Sequence, residues 1–274
     1  MTAEITNALS MRHYLDNPAL SSSGVTSLLR SPLAFHDAAK RETAAMARGT
    51  ATHTAVFEPA RFASEYVVYR ESKTVGEGAR KRWAAFKEAN AHLTIIDTGE
   101  HDTALKVAEA VRNHPAAKPY ITEGDSEVSI FWNEGETRCK LRADRLGSAI
   151  VDLKTTRDPS PQAFTRQSFN LSYHVKAAWY QRGVGEALGV KKDVIIIAAE
   201  TSAPYDVVVY RVPEYALTAA WIDCETALAL YRKCRATGRW PGISDTILEL
   251  DLPTWAYRET EETTLEIGNE EVRV

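Results

Sequence analysis

Residues 140–156, K-L-R-A-D-R-L-G-S-A-I-V-D-L-K-T-T, decide the fold. Two strand-like runs flank Leu146-Gly147-Ser148, which has the composition of a tight turn. Side chains along a strand alternate between faces. Lys140, Arg142 and Asp144 therefore share one face of the first run. Asp152 and Lys154 share a face of the second, opposite Val151 and Leu153. A hairpin joining the runs brings Asp144, Asp152 and Lys154 to one edge of a sheet. Paired carboxylates are hard oxygen ligands of the kind Mg²⁺ takes alongside a substrate phosphate. Such an ion lowers the pKa of a bound water and polarises a phosphodiester, and a neighbouring lysine orients that water or stabilises the transition-state charge. The same D-x-K pattern also describes an exposed ion pair on a strand, so its surroundings decide between the two.

The chain has 274 residues, enough for one large domain with a substantial core. No apolar run reaches membrane-spanning length, and the opening M-T-A-E-I-T-N-A-L-S lacks the basic-then-apolar order of a signal peptide. The expectation is a cytoplasmic protein with no membrane partner. Cys139, Cys224 and Cys234 lack C-x-x-C spacing, which argues against a zinc ribbon, a disulfide framework or a four-cysteine cluster. The formal charge is −4, and residues 257–274, with six Glu and two Arg, carry all of it. A nucleic-acid site on the neutral remainder would be a local groove rather than a whole basic face.

Residues 1–20 read as an irregular N-terminal arm, 21–256 as a single domain, and 257–274 as a flexible acidic tail with no core pattern. Ser21, Ser22 and Ser23 precede Leu28, Leu29 and Leu33 as a capped helix start; the same hydroxyls and free N–H groups also suit a terminal phosphate. In Arg48–Glu58, Gly49, Thr52, His53 and Val56 fall on one side of a helix, where His53 is either a structural residue or a third metal ligand. Arg70–Glu88 mixes glycines with Lys73, Arg80, Lys81 and Arg82, as a solvated loop and helix or as a basic flap on a DNA backbone. Residues 100–118 read as a helix, and Glu127–Trp132 as a strand that places Glu127 at the start of the sheet carrying Asp144. Gln162–Gly189 reads as one long helix with Tyr173, Lys176 and Tyr180 on a common face. Two strands at 193–199 and 206–211 and a helix over 213–237 follow.

The ordered motifs S-x-S (Ser21, Ser23), G-T-A-x-H (Gly49–His53), E-x-S-I-F-W, R-x-D, V-D-L-K-T-T, Y-H-V-K-A-A-W-Y, R-W-P-G-I and L-P-x-W-A together resemble the RecE-type recombination exonucleases. These belong to the RecB-like branch of the PD-(D/E)xK nuclease superfamily. The resemblance runs from about Tyr14 to Ala256. It implies an α/β fold with a central mixed β-sheet flanked by helices. It also implies a Mg²⁺-dependent enzyme, with Mn²⁺ an alternative at an oxygen-rich site and two ions per site. Such enzymes degrade the 5′ strand of linear double-stranded DNA and leave a 3′ single strand for a RecT-like single-strand annealing protein. A ring-shaped homo-oligomer, encoded by a phage or prophage in a bacterial host, is implied as well.

Carried over residue by residue, His53, Asp144, Asp152 and the backbone carbonyl of Leu153 are metal ligands, and Lys154 is the catalytic lysine. Glu127 takes the upstream acidic position, near a second ion. Tyr173, His174 and Tyr180 match the helix after that lysine. Ser21, Ser23, Arg48, Lys73, Arg80 and Arg82 join Tyr173 and His174 as DNA contacts. Lys176 departs from the glutamine usual there; it donates but cannot accept, which changes the charge and hydrogen bonding of that position. Two other readings are a RecB-like nuclease acting on single strands, flaps or as an endonuclease, and an inactive DNA-binding module.

Overall fold

The computed structural model describes residues 3–37, 44–71, 76–252, 264–267 and 270–273. The chain opens with β1 (Glu4–Thr6), α1 (Met11–Asp16), α2 (Ser22–Arg30), α3 (Pro32–His36) and α4 (Ala44–Phe57). It continues through α5 (Pro59–Glu65), β2 (Tyr66–Tyr69), α6 (Glu77–Ala89), β3 (Thr94–Asp97), α7 (Thr98–Asn113) and α8 (Lys118–Thr122). The central run is β4 (Asp125–Glu134), β5 (Thr137–Leu146), β6 (Ile150–Thr156), α9 (Pro161–Asn170), α10 (Tyr173–Leu188), β7 (Val194–Glu200), β8 (Val207–Arg211) and α11 (Glu214–Thr237). A hairpin of β9 (Thr264–Ile267) and β10 (Glu270–Arg273) lies in the acidic tail.

The main sheet has the order β1-β4-β5-β6-β7-β8 and is mixed, because β6 and β7 run parallel while every other pair is antiparallel. β7 reads V-I-I-I-A-A-E and is buried along nearly its whole length, as a strand covered on both faces should be. On one face Val128, Ile130, Trp132, Leu141 and Ile150 pack against α2, α10 and α11. On the other, Val151, Leu153, Ile195 and Ile197 pack against α4, α7 and α8. This is the α/β architecture with a central mixed sheet that the sequence implies. Among the described residues no helix is long and apolar enough to cross a membrane.

Two segments differ from their sequence reading. Residues 4–6 are not irregular: Glu4, Ile5 and Thr6 pair with Phe131, Ile130 and Ser129 as an edge strand, and Tyr14 on α1 is buried beside Phe131. The long helix expected over 162–189 is two helices, broken where Ser172 takes the left-handed conformation at φ 55°. Neither glycine nor proline marks that corner in the sequence.

Candidate active site

The turn at 147–149 joins β5 and β6, but their ladder is brief, pairing only Arg145 with Val151 and Leu146 with Ile150. The next residues in register would be Asp144 and Asp152, and there the strands part. Asp144 fills the opening: its carboxylate accepts the Leu153 N–H at 2.8 Å and lies 3.2 Å from Nδ1 of His53 on α4. The N–H and carbonyl of one strand residue point to the same edge, so the Leu153 carbonyl faces this opening too. The β4–β5 ladder is interrupted at the same place, because the pair missing from its register is Glu127 opposite Asp144. Glu127 has φ 56°, rare for a residue with a Cβ. Its carboxylate accepts from Arg142 Nε at 2.6 Å, and Arg142 also donates to the Leu9 carbonyl and the Ser129 hydroxyl, both at 2.9 Å.

Asp152 forms an ion pair with Lys154, both largely buried. The Lys154 ammonium lies 5.0 Å from the centre of the Tyr173 ring on α10, and that of Lys176 lies 5.4 Å from the same centre. Tyr180, two turns along α10 from Tyr173, faces the Ser22 side chain. Ser22 comes within reach because Leu20 pairs with β5 beside Cys139, on the edge that β6 has left. The opening between β5 and β6 thus gathers α2, α4 and α10 around two carboxylates.

The charges are strongly coupled. Burial pushes the His53 pKa down, but the adjacent Asp144 carboxylate outweighs it and the net shift is upward. Burial raises Asp144, yet His53, Lys154 and the Leu153 N–H together hold it below the ordinary aspartate value. Lys154 is likewise disfavoured by burial but raised overall by Asp152 and Asp144. Lys176 is lowered, by burial first and then by Lys154. Glu127 is raised by burial despite Arg142. Burial, with the charges of Tyr14, Asp152 and Asp144 adding to it, lifts Tyr180 well above the usual phenol, so it stays neutral.

The donor set of two carboxylates, an imidazole and a carbonyl suits a hard divalent cation. Among the described residues no group of three or more His, Cys, Asp or Glu side chains forms a ready-made metal cluster. His53 is turned onto Asp144, Lys154 onto Asp152 and Arg142 onto Glu127.

The expected DNA contacts divide. Ser21 caps α2 by accepting the Gly24 N–H at 3.3 Å, with the Ser23 hydroxyl 3.2 Å away, so the capping geometry is present. His174 stacks on Phe169, which is 72% exposed, at the α9–α10 corner. Arg82 pairs with Glu71, and Arg80 is exposed on α6. The Arg48 side chain and Lys73 lie outside the described residues. Sequence reasoning passed over Arg142 and Ser22. The R-x-D spacing carried a signal for Arg142, whereas nothing distinguished Ser22 from its neighbours. A cavity of about 580 Å³ adjoins the cluster, lined by Thr52, Thr155, Thr156, Arg157 and Gln167 among others. Another of about 430 Å³ between α10 and α11 contains none of the residues above.

Residues 21–250 match a family described as PDDEXK-like domain of unknown function (DUF3799). No curated protein matches the chain. A solved structure from Eubacterium rectale, described as a candidate exonuclease, superposes with a TM-score of 0.61 over 90% of this chain and 97% of that one, at 14% identity. At that identity the likeness is one of fold.

Proposed function

The chain belongs to the PDDEXK-like family matched over residues 21–250, and from that premise we propose that it is a divalent-metal-dependent deoxyribonuclease working at Asp144, Asp152 and Lys154. One observation carries the reading: the β5–β6 ladder opens at Asp144 and Asp152, with Lys154 paired to Asp152 and His53 to Asp144. A solvated ion pair on a strand would need neither the opening nor the burial. His53, Asp144, Asp152 and the Leu153 carbonyl would hold the metal, and Glu127 lies beside them. When bound, a divalent ion supplies charge against the phosphate oxygens and acidifies a water. The rest falls to the side chains. Lys154, kept protonated by its two carboxylate neighbours, orients the attacking water and meets the charge developing on the phosphate. Lys176 brings a second positive charge to the Tyr173 ring, and Tyr180 presents a neutral phenol. Arg142 holds Glu127 in place.

The finer reading is an exonuclease that uses Mg²⁺, degrades the 5′ strand of linear duplex DNA and supplies 3′ single strands to an annealing protein. The ordered motifs support it, with Ser21 and Ser23 at the start of α2 offered to a 5′-phosphate. The test digests linear duplexes labelled at one 5′ end, bearing 5′-phosphate or 5′-hydroxyl, with Mg²⁺ and with a chelator. Wild type is compared with Asp152→Ala. Metal-dependent loss of the 5′ strand, absent in the variant and on closed circles, is the expected result. Cutting of circles, or of single strands alone, replaces the finer reading with an endonuclease or single-strand nuclease. Failure to cut under any metal overturns the nuclease reading.

A further inference from the structure

Beyond α11 the chain carries a run of aliphatic residues that the fold leaves uncovered. Ile243, Ile247, Leu248 and Leu250 are 77, 101, 66 and 98% exposed, in a stretch outside any helix or strand. Large aliphatic side chains presented side by side to water mark contact surfaces. Within 246–250, T-I-L-E-L, Leu248 and Leu250 alternate with Ile247 and Glu249, which is the period of a strand.

The main sheet offers a matching site. β8 is its terminal strand and pairs only with β7 among the described residues. The Val212 N–H donates to Val194 at 2.9 Å and the Glu200 N–H to Asp206 at 2.8 Å. Antiparallel pairs alternate between bonded and non-bonded, so the backbone groups of residues 208 and 210 are spent on β7. Those of Val207, Val209 and Arg211 point outward. Natural edges are usually blunted by lysine, proline or a bulge, and the Val207–Tyr210 run has no lysine or proline. We propose that residues 246–250 of one copy of this chain add as a further strand to the β8 edge of a second copy.

The two surfaces fit in length, since β8 spans Val207–Arg211, and in chemistry. Val207 and Val209 belong to the apolar face packed on α7, which Leu248 and Leu250 of the added strand would extend. A chain does not readily reach its own edge at Arg211. Trp240 stacks on Phe35 and the Pro241 carbonyl accepts from Leu33, which pins the root of the arm near Tyr231. Tyr231 lies about 26 Å along α11 from Glu214, which follows β8, whereas residues 242–245 reach at most about 14 Å. This inference is independent of the nuclease reading.

The test is complementation between two full-length variants, followed by sedimentation velocity. Leu248→Asp/Leu250→Asp spoils the arm and leaves the edge intact. Val209→Pro removes an outward N–H without touching the β7 ladder, and Val207→Pro, at the first residue of the strand where proline is tolerated, is a second edge variant. Each is checked for a cooperative thermal transition. Wild type is expected to self-associate, each variant alone to be monomeric, and an equimolar mixture of arm and edge variants to form a 1:1 dimer through the one remaining contact. A wild type that stays monomeric overturns the proposal. So does association that survives in both variant classes, or a mixture of folded variants that stays monomeric.

Discussion

Lys176→Met is expected to stabilise the fold and weaken its hold on DNA. The Lys176 and Lys154 ammonium groups lie 5.4 and 5.0 Å from the centre of one tyrosine ring, so they stand close together. Two like charges no more than about 10 Å apart repel by about 1.7 kcal/mol or more at an effective dielectric constant near 20. Attraction to Asp152 offsets part of this, and methionine fills much the same volume without charge. The expected gain is about 1 kcal/mol, or about 2–4 °C in Tm for a chain of this size. Because the folded pKa of Lys176 is lowered, the gain is fully present below that value. It disappears as pH rises toward the ordinary 10.5. In that window the unfolded wild type holds a proton that the folded protein has lost, so wild-type stability climbs. Thermal unfolding at neutral and alkaline pH reads the stability. Fluorescence anisotropy with a duplex across a salt series reads the binding, whose logarithmic salt slope should shallow by about 1 if Lys176 meets a phosphate. A lower Tm at neutral pH, or an unchanged salt slope with tight binding, would refute the reasoning.

Other changes test neighbouring parts of the argument. A Cβ at Gly183 would stand 2.6 Å from Leu141 Cδ2 and 2.6 Å from Trp132 Cζ3, both buried. Gly183→Ala should therefore cost about 1–3 kcal/mol, and an unchanged Tm would mean that α10 can shift off the sheet. Arg142→Met leaves Glu127 buried without its cation and should cost about 3–5 kcal/mol at neutral pH. Its penalty should shrink on acidification, as Glu127, whose pKa is already raised, takes up a proton; denaturant titrations at both pH values check this. Asp144 has a lowered folded pKa, so its stabilisation is present above the unfolded value of 3.8 and lost as pH falls through the folded one. In chelator, Asp144→Asn should flatten the acid limb of the stability curve relative to wild type, and an identical acid limb would mean that His53 does not charge against Asp144.

The hairpin and its three chemical residues were legible because strand alternation is local and strong over 140–156. The burial of β7 was legible from a different signal, a continuous apolar run bounded by charge. What escaped was non-local or conformational. Glu4–Thr6 is too short to announce a strand and gains its structure from Phe131, Ile130 and Ser129, remote in sequence. The break before Tyr173 depends on a serine in a left-handed conformation that its side chain does not prescribe. Spacing placed His53 and Asp144 at one site but could not tell whether they face a shared ion or each other. That choice rests on proton positions and on the charges nearby, which residue spacing does not carry.

The ion pairs and the backbone around them have a common origin at Asp144. Both neighbours of β5 let go of it at this residue: β4 through the left-handed turn of Glu127, and β6 by diverging after Val151. A left-handed residue with a Cβ costs about 1–2 kcal/mol, and each ladder bond forgone about 1 kcal/mol more. Such a defect persists only where the surroundings over-determine it. Here they do: Arg142 ties Glu127 to Ser129 and Leu9, and the Asp144 carboxylate replaces a strand carbonyl as acceptor for Leu153. An unbroken β4-β5-β6 ladder would have been more stable, but it would have locked Asp144 between two strands with its carboxylate confined to one packed face. Opening the ladder on both sides lets a buried carboxylate reach His53 on α4 and Leu153 on β6 together, the arrangement on which the proposed metal site depends.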